Sequence, residues 1–345
     1  MAINLETGIE YPPDPLEYHT KITAVAAAPP GTPCPMWLAF LHTATGGDDE
    51  LITFLKRFLG YCLTGFVTEH SLLFLFGTGG NGKGVFTSTV TEILGDYAIV
   101  APMEMFLAAN VERHPTEIAK LRGARLVVAH ETQGGRRWDE GKIKTLTGGD
   151  KLTGRFMRGD FFDFKPTHKF LISGNHKPSF RTVDEAIRRR FLLVPFTVCI
   201  PKADRDPKLA EKLKAEWPAI LRWMVDGCLE WRRVGLMVPE IVRRATDDYL
   251  GDQDSLGQWL ADRVEKVSPN VDPNAFVKTR ALFDSWKTWC ASRNLTPGTE
   301  TAFADSLKDR GYEQKRTNKA RGFSGLRLIS DEEEHEPGFA FGDGQ

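Results

Sequence analysis

Apolar residues follow two alternating rhythms along this chain. Between Asp49 and Leu63 they keep helical spacing, with Leu51, Phe54, Leu55, Phe58 and Cys62 on one face, the pattern of a helix that packs one side. A shorter helical stretch precedes it around Met36 to His42, and residues 1–34 before that are proline-rich and poorly periodic. The rhythm then shifts to short, wholly apolar runs at 72–76, 125–129, 168–173 and 191–198, the look of strands buried on both faces. Helical spacing returns at Val85, Phe86, Val90, Ile93 and Leu94, with Gly95 as a stop. It returns again over 205–250, where Leu209, Leu213, Trp217, Leu221, Met224 and Leu229 form a stripe. Strands alternating with helices from 72 to about 198 predict a mostly parallel α/β sheet.

A break near Gly251 to Asp254 precedes a last unit. Three amphipathic segments, "SLGQWLADRVEKV", "RALFDSWKTWCASRN" and "TAFADSLKDRG", are followed by "YEQKRTNKARGFSGLRLI", which has the pattern of a β-wing. The expected partition is a small helical region over 1–70, the α/β core over 71–200, a helical segment over 201–253, a winged-helix domain over 254–330 and an acidic, disordered tail over 331–345.

Composition narrows the class without naming a function. With 41% hydrophobic and 26% charged residues the chain is of the soluble globular kind. No apolar run nears the roughly 20 residues of a membrane span, and the first residues lack the basic and apolar regions of a signal peptide. Cys34, Cys62, Cys199, Cys228 and Cys290 are scattered, which predicts reduced thiols in a cytoplasmic protein rather than a zinc site or a disulfide framework. The net charge of −1 hides an asymmetry: six acids and no Lys or Arg lie in 331–345, leaving 45 basic against 40 acidic residues elsewhere. That balance of +5 is mild, so any nucleic-acid surface must be local.

The sharpest chemical signal is "LLFLFGTGGNGKGVF" at 72–86. A buried strand runs straight into Gly77, Thr78, Gly79, Gly80, Asn81, Gly82, Lys83, Gly84 and Val85, and a helix follows. Glycines there let several backbone N–H groups face one point, and the helix N-terminus favours an anion. The stretch fits G-x-x-x-x-G-K-[ST] except that Gly84 stands where a hydroxyl residue ordinarily ligates Mg²⁺. The loop is therefore expected to hold nucleotide phosphates. "ARLVVAHET" at 124–132 is an apolar strand ending in Glu131, a candidate carboxylate for Mg²⁺, directly or through water, and for water activation. "KFLISGNHKP" at 169–178 exposes Asn175 at a strand end, where an amide can orient water or sense a phosphate. "DEAIRRRFLLVPF" at 184–196 sets three arginines before the last strand. Such a run is ordinarily a solvated face, but in a ring an arginine here could reach the neighbour's nucleotide.

Two further stretches combine charge with other features. In 151–165, Lys151, Arg155 and Arg158 lie with Phe156, Phe161 and Phe162 around a Gly159-Asp160 turn. Phosphates attract the first set and bases stack on the second, unless the phenylalanines are core. In 308–327 seven basic residues stand against two acids, with Lys315, Arg316, Lys319 and Arg321 as candidate duplex contacts; a subunit-docking module with a solvated wing is the alternative.

The phosphate loop, Glu131, "IKTLTGGDKLTGRFM" at 143–157, Asn175 and the arginine run occur in the order and spacing of superfamily 3 helicases. The chain resembles in particular the phage and plasmid primase-helicase family that includes the poxvirus-type enzymes, over roughly residues 4–329. That resemblance implies an AAA+-like P-loop ATPase core and a homo-oligomeric, hexameric ring. It implies translocation on single-stranded and forked DNA, 3′ to 5′, with ATP and Mg²⁺, in phage or mobile-element replication. It also implies a primase or primase-polymerase domain upstream in larger members, absent from this sequence. Position by position, Lys83 contacts the β- and γ-phosphates, Glu131 is the Walker B acid, Asn175 the polar sensor, and Arg189 or Arg190 the arginine finger. Lys151, Arg155 and Arg158 fall where such proteins grip DNA. Two other readings stay open: a P-loop ATPase that remodels protein, and a nucleotide-controlled origin-binding module without processive unwinding.

Overall fold

The structure is a computed structural model that describes residues 1–109, 115–131, 134–268, 270–293, 295–316 and 320–329. Lys319 and the acidic tail 331–345 lie outside the described residues. The chain divides into two compact units, Met1–Gln253 and Asp254–Gln345.

In the first unit, helices α1 (Pro35–Thr45) and α2 (Asp49–Leu63) lead into strand β1 (Leu72–Phe76) and helix α3 (Lys83–Leu94). Strands β2 (Ala98–Val100) and β3 (Leu126–His130), helix α4 (Glu140–Thr147) and the hairpin strands β4 (Leu152–Gly154) and β5 (Phe162–Phe164) follow. Strands β6 (Lys169–Gly174) and β7 (Phe191–Pro195) complete the sheet, and helices α5 (Trp217–Val234) and α6 (Glu240–Gln253) close the unit. The main sheet has five strands in the order β2-β3-β6-β1-β7, and every neighbouring pair is parallel.

Both faces of this sheet are buried, which is why its strands are continuous apolar runs rather than alternating ones. Leu73, Leu75, Val128, Leu171 and Val194 point to one side and join the core built with α1, α2, α3 and α5. Leu72, Phe74, Val127, Phe170 and Phe191 point to the other and pack with Phe106, Trp138 and Tyr249. This is the two-residue period of a strand, with both halves spent on burial.

Helix α2 matches the expected span, started by Asp48, whose carboxylate accepts the Leu51 N–H at 2.9 Å. It crosses α5 at close range through two glycines: a Cβ at Gly60 would overlap the Cys228 backbone, and one at Gly227 would overlap the Lys56 carbonyl. The proline-rich first segment is anchored by the buried Arg222 of α5. Its guanidinium donates to Ala28 O (2.6 Å), Gly8 O (3.1 Å) and Glu10 Oε1 (2.9 Å), so its charge is satisfied inside the fold. Helix α3 begins at Lys83, where the glycine loop is expected to deliver it. Other expectations shift: the edge strand β2 has no counterpart in the sequence pattern, β3 and β6 lie one residue later than expected, β7 ends at Pro195 rather than 198, and Val264–Lys266, read as the end of an amphipathic helix, is a strand.

In the second unit, helix α7 (Ser255–Arg263), strands β8 (Val264–Lys266) and β9 (Phe276–Lys278), and helices α8 (Thr279–Ser292) and α9 (Glu300–Asp309) precede strands β10 (Gln314–Arg316), β11 (Arg321–Ser324) and β12 (Leu326–Leu328). The strands form a three-stranded sheet, β9-β11-β10, and a pair, β8-β12, all antiparallel. Trp259, Leu282, Phe303, Leu307 and Phe323 are its core. No helix among the described residues is long and apolar enough to cross a membrane.

Candidate nucleotide and nucleic-acid sites

The phosphate-loop candidates gather at the C-terminal edge of the sheet. Gly79, Gly80 and Gly82 have φ of 106°, 66° and 82°, a left-handed series open mainly to glycine. The loop thus curls tightly and delivers Lys83 as the first residue of α3. Asn81 braces the curl: its Oδ1 accepts the Gly79 N–H at 2.6 Å and its Nδ2 donates to Val198 O at 2.9 Å. Lys83 is buried, and its Nζ donates to Gly77 O at 2.8 Å, Asn175 Oδ1 at 3.0 Å and Asn81 Oδ1 at 3.4 Å. Burial pulls its pKa below the ordinary lysine value, so an anion that neutralises this ammonium would be bound favourably. Thr78 and Gly84 are exposed and Val85 is half-buried.

Strand order explains how the other candidates reach this point. Because β6 lies between β1 and β3, its end falls between the phosphate loop and Glu131. Asn175, just past β6, accepts from Lys83 on one side, while the next N–H, of His176, donates to Glu131 Oε2 at 3.1 Å on the other. Lys83, Asn175, His176 N–H and Glu131 therefore form one hydrogen-bonded line across three adjacent strand ends. The second carboxylate oxygen, Glu131 Oε1, is buried with no hydrogen-bond partner among the described residues. An orphaned carboxylate oxygen beside a curled anion-binding loop fits Mg²⁺ carried in with ATP, reached directly or through water. When bound, that ion neutralises charge on the phosphates. Gly84 supplies no hydroxyl, and the nearby Thr87 hydroxyl is buried and committed to Lys83 O (3.0 Å) and Gly84 O (3.2 Å). No cluster of three metal-binding side chains occurs among the described residues. His130, beside Glu131 in sequence, pairs with the Ser173 hydroxyl at 2.8 Å.

The two arginines lie elsewhere. Arg190 O accepts the Leu72 N–H at 2.7 Å, at the start of β1, whereas the phosphate loop leaves its far end. Five strand residues, about 16 Å, separate them from the loop of the same chain. Arg189 is exposed; Arg190 is half-buried and donates to Ala186 O at 3.0 Å. Neither is part of the loop's own site within one chain.

The hairpin β4–β5 divides its aromatics. Phe164 is buried and Phe162 is half-buried against the core, its ring stacked 5.6 Å from that of Phe156, whereas Phe156, Met157 and Phe161 are 47%, 71% and 60% exposed. Arg155 lies over the Phe161 ring at 4.6 Å, and Arg158 takes φ of 59°, unusual for a residue with a side chain, at the tip. Lys151 is exposed at the base. The tip thus carries cations and uncovered rings together.

In the second unit the basic count overstates the free surface. Lys308 pairs with Asp305 at 2.5 Å, Arg310 with Asp254, and Arg327 with Glu265 at 3.4 Å. Helix α9 itself carries Glu300, Asp305 and Asp309 against Lys308. Among the described residues the remaining charge sits on strands: Lys315, 3.2 Å from Glu313, and Arg316 directly opposite Arg321 across the β10–β11 ladder. Neither arginine pairs with a carboxylate among the described residues, and like charges so placed repel unless an anion joins them.

A family model described as a family of unknown function (DUF5906) matches residues 75–190, a span that holds the loop, Glu131, the hairpin and Asn175. The chain is 23% identical over 266 residues to "Putative helicase L207/L206" of Acanthamoeba polyphaga mimivirus, covering 71% of this chain and 27% of that protein. It is 26% identical over 279 residues to "Putative helicase 022R" of Frog virus 3 (isolate Goorha), covering 73% and 27%. The chain is akin to viral proteins named as helicases. It spans about a quarter of the length of these relatives. Among solved structures, the apo NrS-1 C-terminal region superposes with a TM-score of 0.57 at 11% identity, over 92% of this chain and 79% of that one. At that identity the likeness concerns the fold.

One contributor carries no signal in the sequence. His176 acts through its backbone N–H, which no side-chain pattern marks.

Proposed function

We propose that this chain is an ATP-driven, ring-forming DNA helicase of the superfamily 3 type, with an AAA+-like core and a C-terminal winged helix. It moves 3′ to 5′ on single-stranded DNA in phage or mobile-element replication, as the helicase part of a primase-helicase. The observation that carries this reading is the hydrogen-bonded line from Lys83 through Asn175 to Glu131. It joins a phosphate-binding cation, a polar sensor and a carboxylate, the parts that phosphoryl transfer to water requires.

In this reading Lys83 and the N–H groups of 80–84 hold the phosphates, and Glu131 orients water and the Mg²⁺ shell. Asn175 links the two, so loss of a phosphate changes what Lys83 and the Asn175–His176 turn can bond. Arg189 or Arg190, too far from the loop of its own chain, acts on a neighbour's nucleotide in a ring. The hairpin tip grips the strand, with Lys151, Arg155 and Arg158 on phosphates and exposed Phe156 and Phe161 stacking on bases. The facing arginines of β10 and β11 favour a second reading, in which nucleotide controls attachment to duplex or origin DNA without processive unwinding. Measuring ATP hydrolysis with and without single-stranded DNA tests the proposal. Stimulation is expected, and turnover indifferent to DNA would favour the second reading.

A further inference from the structure

The segment after β7 is laced onto the phosphate loop. Phe196 N–H donates to Phe76 O at 2.7 Å, Asn81 Nδ2 to Val198 O at 2.9 Å, and Ile200 N–H to Gly80 O at 3.0 Å. Arg205 returns along this segment: its Nε donates to Ile200 O at 2.7 Å, and its guanidinium lies across Gly80. A Cβ at Gly80 would stand 2.6 Å from Arg205 Cζ, so the glycine leaves the space that the guanidinium fills. The two terminal nitrogens have only a 3.7 Å contact with Cys199 Sγ, and no carboxylate among the described residues pairs with them. The neighbouring Asp206 is turned to Lys212 at 2.6 Å.

An exposed guanidinium is thus held against the anion-binding loop by its Nε, leaving its outer N–H groups free for another acceptor. Guanidinium N–H pairs match phosphate oxygens in bidentate geometry. It arrives from the β7 side of β1, whereas Asn175 comes from the β6 side. Resting on the reading that this loop holds a nucleotide, we infer that Arg205 is a second phosphate-binding cation, acting within the same chain and flanking the phosphates opposite Asn175. Lys83 alone would then not account for phosphate affinity, and no neighbouring subunit is needed for this interaction.

The test is equilibrium binding of ADP, ATP and adenosine to the full chain, in the wild type, Arg205→Ala, Arg205→Lys and Lys83→Ala. Removing a charge-assisted hydrogen bond to phosphate weakens ADP and ATP roughly tenfold or more in Arg205→Ala. Adenosine, which has no phosphate, should bind as before, and Arg205→Lys should recover part of the loss. Alkylation of Cys199, the one exposed cysteine of the five, gives an independent readout. Its half-protection should move to higher ADP in Arg205→Ala. Unchanged ADP and ATP affinity in Arg205→Ala, or an equal loss for adenosine, overturns the inference while leaving the loop assignment intact. Failure of the wild type to bind either phosphate ligand overturns the nucleotide reading itself, and this inference with it.

Discussion

The loop end of the main sheet and the strand face of the C-terminal unit both present positive charge, yet they are built on opposite principles. At the loop, a buried ammonium is fixed by three oxygen acceptors and by backbone that only glycine adopts readily. At β10 and β11, exposed arginines face each other with little to hold them. In the proposed reading the first arrangement selects one small, highly charged ligand in one pose. The second suits a long polyanion that offers many equivalent phosphates. The two regions should therefore fail independently, and the largest effect should come from the rigid one.

Lys83→Ala should lower ATP hydrolysis by roughly a hundredfold or more, since it removes a preorganised cation from the place where negative charge develops. DNA binding, measured by filter retention or anisotropy, should survive. Combined loss of both would tie the regions together and break the comparison.

Next in size, Arg155→Ala with Arg158→Ala should abolish the stimulation of hydrolysis by single-stranded DNA and leave basal turnover unchanged. Both side chains belong to the hairpin tip and neither touches the loop. A double variant still stimulated by DNA would remove the hairpin from the reading.

Replacing Lys315, Arg316 and Arg321 with alanine should weaken duplex binding and flatten its salt dependence. The log–log slope should fall by roughly 0.9 for each phosphate no longer neutralised. Hydrolysis without DNA should not change. An unaltered slope would return these strands to a structural or docking role.

The smallest effect is expected at Gly84→Ser. A Cβ there meets nothing within 4 Å, so the serine fits and restores the usual hydroxyl. Hydrolysis should stay within about twofold, as for an uncrowded surface change, with half-maximal Mg²⁺ unchanged or lower. A severe loss would show that backbone freedom at 84 matters beyond the space it leaves.

How much of this was legible in the sequence depended on whether the cause was local. The run Leu72–Phe76, the glycine series and the stripe of α2 carry their structure in their own spacing, and α2 spans the expected Asp49–Leu63. Strand β2 was invisible because three residues at a sheet edge show no period. Arg222 resembles a solvated charge until the segment carrying Gly8 and Ala28 folds over it. The arrangement of Glu131 beside Asn175 follows from β6 lying between β1 and β3, a pairing that no local pattern encodes. Charge counting in 308–327 could not show that Asp254, Asp305 and Glu265, all outside that stretch, pair with three of its seven cations. The hairpin's mixed aromatics left two options open in sequence. The fold divides them, packing Phe162 half-buried against the core and uncovering Phe156 and Phe161.

The central claim, that the Lys83–Asn175–Glu131 line powers movement along DNA, is tested most directly by strand displacement from forked duplexes with either a 3′ or a 5′ single-stranded tail. With ATP and Mg²⁺, the full chain should release the strand from the 3′-tailed fork, and neither omission of ATP nor the Lys83→Ala variant should permit it. Equal displacement without ATP, or none on either fork while ATP is being hydrolysed, would contradict the account.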